Sequence, residues 1–403
     1  MKLPIYLDYH ATTPVDPRVV EAMVPYFAER FGNASSRTHK FGWDAAEAVD
    51  RARGEVARLI GARAREVIFT SGATESNNLA IKGTVAALRD RGDHVITVVT
   101  EHHAVLDTCR RLEREGVRVT YLPVGRDGLI DLDQVREAMT DRTILISVMA
   151  ANNEIGVLQP IGEIGRIARA RGVVFHTDAA QATGKVPFDG AALQADLVSL
   201  TAHKLYGPKG VGALFIRPRT PKLPILPMFD GGGQEHGLRP GTLNVPGIVG
   251  FGRACAICQD EMEQDAARLG ALRDRLLAGL LDRVEGIAVN GSLAERLPQN
   301  LNVSVEDVEG EALLMGLGDI AVSAGAACAS GAAEPSYVLK ALGVSDDLAL
   351  ASLRFGLGRF TTDEEVDYVI DRLATVVPRL RQTVDSWAGA RSYRPARSTT
   401  GMS

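Results

Sequence analysis

The sequence predicts an α/β protein: a mostly parallel central sheet with helices on both faces, plus a smaller α+β domain. Three observations carry this. Seven short apolar runs alternate with helix-length segments between residues 66 and 217, and such alternation implies parallel strands joined by crossover helices. Most of the runs end in polar, reactive side chains, and in sheets of this kind ligands bind beyond the carboxyl ends of the strands. At 403 residues the chain is long for a single core, so two domains are expected.

The expected strands of the large domain are EVIFT (66–70), HVITVVT (94–100), RVTYLPV (118–124), TILISVM (143–149), VVFHTD (173–178), LVSLTA (197–202) and GALFIR (212–217). Helices fit between most of them, as over 104–115 and 161–171. Five strand ends carry chemistry: Thr70-Ser71-Gly72, Glu101-His102-His103, Asn152-Asn153-Glu154, Asp178 to Gln181, and His203-Lys204. Their convergence predicts one shared site. A long helix is expected from about Gly247 to Glu285. Beyond it GIAVNG, NLNVSV, IAVSAG and ASLRFGL read as strands, with helices near 309–317 and 362–380. The boundaries drawn from this are 15–261 for the large domain, 1–14 and 262–389 for the small one, and a disordered polar tail over 390–403.

Composition excludes several function classes. Hydrophobic residues make up 45% and charged residues 24%, with a formal net charge of −5. No sustained basic stripe is present, which argues against nucleic-acid binding. No apolar run approaches the ~18 residues of a membrane span, and Asp8 and His10 interrupt any secretory core near the start. Four cysteines are too few for a disulfide framework in a chain of this size. A cytoplasmic compartment is expected.

The stretch SLTAHKLYGPKG (199–210) delivers His203 and Lys204 from an apolar strand into a glycine-rich turn. Lysine is among the residues least often buried, so its place needs a reason. SGATESNN (71–78) opens a helix, where Ser71, Gly72, Ala73 and Thr74 supply free N–H groups and hydroxyls for an anion, or else an ordinary cap. Asp178 ends a buried strand and taken alone reads as a helix N-cap. No P-loop or dinucleotide fingerprint is present. Together, a phosphate cradle, a strand-end carboxylate and a strand-end lysine describe a pyridoxal phosphate site. The lysine gives up its charge to an imine, and the carboxylate keeps the pyridine nitrogen protonated. No metal is expected: His102-His103 lacks metal-ligand spacing, and His103 reads as a surface residue. Cys255 and Cys258 share one face of the long helix and read as packing, as does Cys109.

The motifs YLDYHATTP, FGNASSRTH, FTSGATESNN, TEHHAVLD, NNEIG, HTDAAQ, TAHKLYGPKG, GGGQEHGLRPGT, AGAACASG, EPSYVLKALG and LRFGLGRFT follow one another from residue 6 to 361. In this order they resemble the cysteine desulfurases of the NifS/IscS type, among the class-V, fold type I pyridoxal phosphate enzymes. The resemblance implies that Lys204 forms the Schiff base and Asp178 holds the pyridine nitrogen. It further implies that His102 stacks on the ring and moves protons, and that Gln181 bonds its phenolic oxygen. Thr74, Thr201 and His203, with Gly72 and Ala73, hold the phosphate, and Thr242 reaches the phosphate of a neighbouring subunit in a homodimer. Arg354 binds the carboxylate of L-cysteine with help from Asn153, which also borders the cofactor.

By the same resemblance Cys328 takes the substrate's sulfur as a persulfide, leaving alanine, and passes it to an acceptor such as an iron–sulfur scaffold protein. The surrounding segment, Ser323 to Pro335, is rich in Gly and small residues and reads as a mobile loop. A free thiol is mostly protonated at neutral pH, and the residues name no single base for Cys328; His102 is one candidate. Many relatives carry Ser-Gly-Ser before the loop cysteine and Thr-Ser after it, where this chain has Ala324-Gly325-Ala326-Ala327 and Ala329-Ser330; Thr201 stands where serine is usual, and the tail RSYRPARSTTGMS does not resemble the scaffold-docking segment. The alternatives are a selenocysteine lyase or an aminotransferase of the same fold, or a sulfur-relay platform. A transaminase needs no loop thiol, and a platform would carry no persulfide after treatment with cysteine.

Overall fold

The computed structural model describes residues 2–190, 192–324, 326–327 and 334–392. Cys328 and residues 393–403 lie outside the described residues. In chain order, β1 (Ile5–Tyr6) leads to α1 (Pro17–Met23), α2 (Pro25–Ala28) and α3 (Lys40–Leu59). Then come β2 (Val67–Thr70), α4 (Ala73–Ala87), β3 (His94–Val98), α5 (His103–Arg114), β4 (Arg118–Leu122), α6 (Leu132–Ala138) and β5 (Thr143–Ser147). The large sheet is completed through α7 (Ile161–Ala170) by β6 (Val174–Asp178), β7 (Leu197–Thr201) and β8 (Gly212–Ile216).

These seven strands lie in the order β2-β8-β7-β6-β5-β3-β4, parallel except that β8 runs against both β2 and β7. Alternate residues feed two different cores. Ile68, Val95, Leu145, Val174, Leu197 and Leu214 pack on one face. Phe69, Ile96, Ile146, Phe175, Val198 and Phe215 pack on the other. A strand covered on both faces must be apolar throughout, which is why these runs show no polar alternation.

The second core is built after α8 (Val245–Arg283), by β9 (Ile287–Val289), β10 (Asn300–Val305) and α9 (Gly310–Gly316). It continues through β11 (Ile320–Ala321), β12 (Ser323–Ala324), β13 (Ala326–Ala327), β14 (Glu334–Pro335), α10 (Tyr337–Ala341), α11 (Asp346–Leu350), β15 (Ser352–Gly356) and α12 (Asp363–Ser392). The segment expected as one strand, IAVSAG, is two. β11 pairs with β1, whereas β12 crosses to β15 in the four-stranded sheet β12-β15-β10-β9. The first two residues of that segment are needed to hold the N-terminal strand, so the ladder changes partner at Val322. α12 continues to Ser392, past the expected start of the tail at 390. α8 serves both cores: Val245 to Cys258 join the large one, and Leu269 to Leu280 the small one. Among the described residues no helix is long and apolar enough to cross a membrane.

Candidate active site

A cavity of about 690 Å³ opens at the carboxyl ends of β2, β3, β5, β6 and β7, with β15 of the small sheet closing one side. It gathers Gly72, Ala73 and Thr74 from the start of α4, His102 from the end of β3, and Asn153 from beyond β5. Asp178 and Gln181 come from the end of β6, Thr201, His203 and Lys204 from β7, and Arg354 from β15. Thr242 is exposed and lies outside this chain's cavity. Cys328 lies outside the described residues; β13 and β14, before and after it in the chain, pair antiparallel, with Ala327 opposite Glu334.

Lys204 sits in a short 3-10 turn directly after β7. Its Nζ donates to the carbonyls of His10 and, at 3.0 Å, of Ala11. Burial pushes this ammonium down to about 8, with the Arg354 charge adding to the effect. The cost of burying a cation is thus lowered by making the neutral amine accessible near neutral pH. Asp178 is held from two directions: Asn77 Nδ2 donates to Oδ2 at 2.6 Å and the Ala180 N–H to Oδ1 at 2.9 Å.

His102 caps α5, its Nδ1 accepting from the Ala104 N–H at 3.0 Å. The ring proton therefore lies on Nε2. Desolvation lowers its pKa while Asp178 opposes, and the ring is exposed to the cavity. His103 is turned to the surface and packs edge-on against Tyr337, centroids 5.1 Å apart. Cys109, Cys255 and Cys258 are buried in the cores.

α4 begins without a side-chain cap because Gly72 is its N-cap residue. The φ of Gly72 is +154°, and a Cβ added to Gly212 would come within 2.6 Å of the Gly72 Cα. Glycine at both positions lets the two backbones meet beside Thr201. The unsatisfied N–H groups of the first turn and the helix dipole favour an anion here. Glu75 stays ionised beside it, its charge offset by an ion pair with Arg239 at 2.9 Å. Despite burial, Arg239 and the Ser71 N–H hold the carboxylate below its usual range. Burial lowers His203 to about 4, with Lys204 and Lys209 adding, and its Nδ1 lies 3.1 Å from Thr12 Oγ1.

Arg354 is tethered through two of its three nitrogens. Nη1 donates to the Asn153 carbonyl at 3.0 Å, and Nη2 to Asp8 Oδ1 at 2.6 Å and Ser323 Oγ at 2.8 Å. Its Nε and Asn153 Oδ1 are buried without partners. Among the cavity-lining residues that escaped the sequence reading are His10, Asn77 and Lys209. His10 and Asn77 stand inside motifs already singled out, YLDYHATTP and SGATESNN, so their place in those motifs was the available signal. Lys209 likewise stands inside TAHKLYGPKG.

The description of the class-V aminotransferases matches residues 5–369. Among curated proteins, a cysteine desulfurase IscS of Anaeromyxobacter sp. (strain Fw109-5) is 58% identical over 382 residues, spanning 95% of this chain and 94% of the relative. Of solved structures, a NifS-like protein superimposes with a TM-score of 0.86 at 38% identity, covering 93% of this chain and all (100%) of that one. SspA, solved in complex with cysteine, gives 0.79 at 37% identity, over 89% of this chain and 100% of that one. The chain belongs to the class-V aminotransferase family. Within that family it stands among the cysteine desulfurases.

Proposed function

We propose that this cysteine desulfurase binds pyridoxal 5′-phosphate and removes sulfur from L-cysteine, leaving L-alanine and a persulfide on Cys328. The observation that carries the reading is the meeting of Lys204, Asp178, His102 and Arg354 around one cavity. The residues fit that cofactor. The uncapped start of α4 suits its phosphate, Asp178 with Asn77 suits its pyridinium, and two buried polar atoms, Asn153 Oδ1 and Arg354 Nε, point to a polar ligand. When bound, the cofactor supplies an electron sink for bonds at the substrate's α and β carbons.

The chain's own residues do the rest. The Lys204 amine, with its lowered pKa, attaches the cofactor and afterwards moves a proton at the α carbon. Asp178 keeps the ring nitrogen charged. Neutral His102 stacks on the ring and carries a proton at Nε2. Thr74, Thr201 and His203 with the backbone at Gly72 and Ala73 hold the phosphate, and Gln181 donates to the phenolic oxygen. Arg354, which lines the cavity, binds the substrate carboxylate through the charge and directed N–H groups of its guanidinium. Cys328 as thiolate attacks the substrate's sulfur: a carbon–sulfur bond breaks, a sulfur–sulfur bond forms, and the carbon is reprotonated to alanine. A cytoplasmic homodimer in which Thr242 completes the partner's phosphate site, and an acceptor protein such as an iron–sulfur scaffold, extend the same reading.

The test incubates holoenzyme with L-cysteine and a reductant and assays alanine and sulfide. Equal yields are expected for the wild type, none above background for Cys328→Ala, and no covalent visible band for Lys204→Ala. Alanine formed at the wild-type rate by Cys328→Ala would refute the sulfur-accepting role.

A further inference from the structure

We propose that His10 is a positioning residue that fixes which end of the Gln181 side chain faces the cofactor, through a hydrogen-bond relay whose polarity starts at Arg296. The inference rests on the reading above, in which Gln181 donates to the phenolic oxygen of the ring.

The relay begins at a group that can only donate. A guanidinium has no acceptor, and Arg296 Nη1 donates to Asn300 Oδ1 at 3.1 Å. That orients the Asn300 amide, whose Nδ2 then donates to the Glu154 carbonyl at 3.1 Å and to His10 Nε2 at 3.0 Å. His10 Nε2 must therefore be the unprotonated nitrogen. His10 is buried at 1% exposure, and burial holds its pKa well below the ordinary value, so the ring carries a single proton. That proton lies on Nδ1, which donates to Gln181 Oε1 at 3.1 Å. With Oε1 engaged, Gln181 Nε2 donates to the His10 carbonyl at 3.0 Å. One N–H of Nε2 remains, on a side chain that lines the cavity. Each link leaves the next a single orientation, and the last link is the donor the ring oxygen requires.

The same short segment also holds the amine. The His10 carbonyl that receives Gln181 Nε2 receives Lys204 Nζ as well. Two glycines make room for the relay. A Cβ on Gly356 would lie 2.8 Å from His10 Cδ2, and one on Gly156 would lie 2.3 Å from Asn300 Cγ. Neither collision could be relieved without displacing a member of the chain.

An N–H donated to the phenolic oxygen stabilises its anion. Losing that donor raises the pH at which the bound cofactor gives up its proton. The experiment titrates the visible absorbance of holoenzyme against pH for the wild type, His10→Leu, His10→Gln and His10→Asn. Asparagine places a side-chain N–H where Nδ1–H stood, whereas the glutamine amide reaches toward Nε2 and leaves Gln181 Oε1 without a donor. His10→Leu and His10→Gln are expected to raise the midpoint by about one pH unit, the size of one lost hydrogen bond. His10→Asn is expected to stay within about 0.3 of the wild type, on the same scale.

An unmoved midpoint in the first two variants overturns the proposal. So does an equal shift in all three, because the ring's volume and not its donor would then matter. If His10→Leu does not fold, His10→Gln against His10→Asn decides alone. A wild type with no covalently held visible cofactor would defeat the reading of the site itself, an outcome separate from either of these.

Discussion

Two arginines are equally buried and differ in how they meet a carboxylate. Arg53 and Arg354 each expose 12% of their side chain and each meets a carboxylate. Beside β2, Arg53 forms a bidentate pair with Glu235, at 2.7 and 2.6 Å, and also donates to the Val67 carbonyl. Glu235 accepts a further bond from the Phe69 N–H, and the guanidinium lies 4.6 Å from the Phe69 ring centre. Around Arg354 the geometry is lopsided. Asp8 meets one nitrogen only, and Nε is left without a partner. Burial does not distinguish the two residues, and each makes three hydrogen bonds; the difference is that two nitrogens of Arg53 meet their carboxylate and only one of Arg354 does, with its Nε buried and unpartnered. A closed pair stabilises a fold, while an open one keeps capacity for a ligand.

The most drastic way to break this contrast is Arg53→Ala. It leaves the Glu235 carboxylate buried with only the Phe69 N–H to meet it, and a cost of about 3–5 kcal/mol is expected for removing one partner of a buried pair. Denaturant melts should show that loss, while the folded enzyme keeps its kcat/KM for cysteine. Equal damage to both quantities would erase the distinction. Arg354→Lys is expected to do the reverse. It retains the charge but loses the fork, so kcat/KM should fall about a hundredfold with most of the change in KM, equivalent to about 2–3 kcal/mol. Stability should move by less than about 1 kcal/mol, as for a residue whose bonds are incomplete.

A smaller effect sharpens the same idea among acids. Glu101 is fully buried, accepts from the Met149 N–H at 2.5 Å, and has no partner at Oε2. Burial raises its pKa well above the usual carboxyl range, with Asp178 adding. A raised folded-state pKa means that the folded protein holds a proton the unfolded chain has released. The stabilisation is complete below the unfolded pKa of about 4.3 and declines as pH rises toward the folded value. Glu101→Gln should flatten that slope in melts taken between about pH 5 and 8. An unchanged slope would show that other groups set it.

The seven strands of the large sheet were legible within about two residues because all but the edge strand β4 are buried on both faces, so composition alone marks them. The reversal of β8 was not, since an apolar run carries no sign of direction. Nor was the division at Val322, which depends on a partner strand more than 300 residues away in the chain. In the site, Lys204 and Asp178 announced themselves as polar residues at the ends of apolar runs. The roles of Arg354 and Cys328 rested on resemblance. His10, Asn77 and Lys209 went unassigned: a single polar residue in a turn or a helix has the same appearance whether it faces solvent or a cavity. Only the contacts of His10 with Asn300 and Gln181, from two distant segments, give it a direction.

The 39 residues of α8 form one continuous rod about 58 Å long. Between Cys258, the last to enter the large core, and Leu269, the first to enter the small one, no residue is buried. Most substitutions there should pass unnoticed, apart from Glu261, Asp265 and Arg268, which bond across to Arg18, Arg359 and the Thr361 carbonyl. Deleting a single residue is another matter. It would turn everything beyond by about 100° and draw it back about 1.5 Å, pointing Leu269, Leu272 and Leu276 away from their core and taking Arg354 out of line with Lys204. In this span the count of residues is under tighter constraint than their identity. Homologous chains should therefore drift freely in spelling there while keeping its length to the residue.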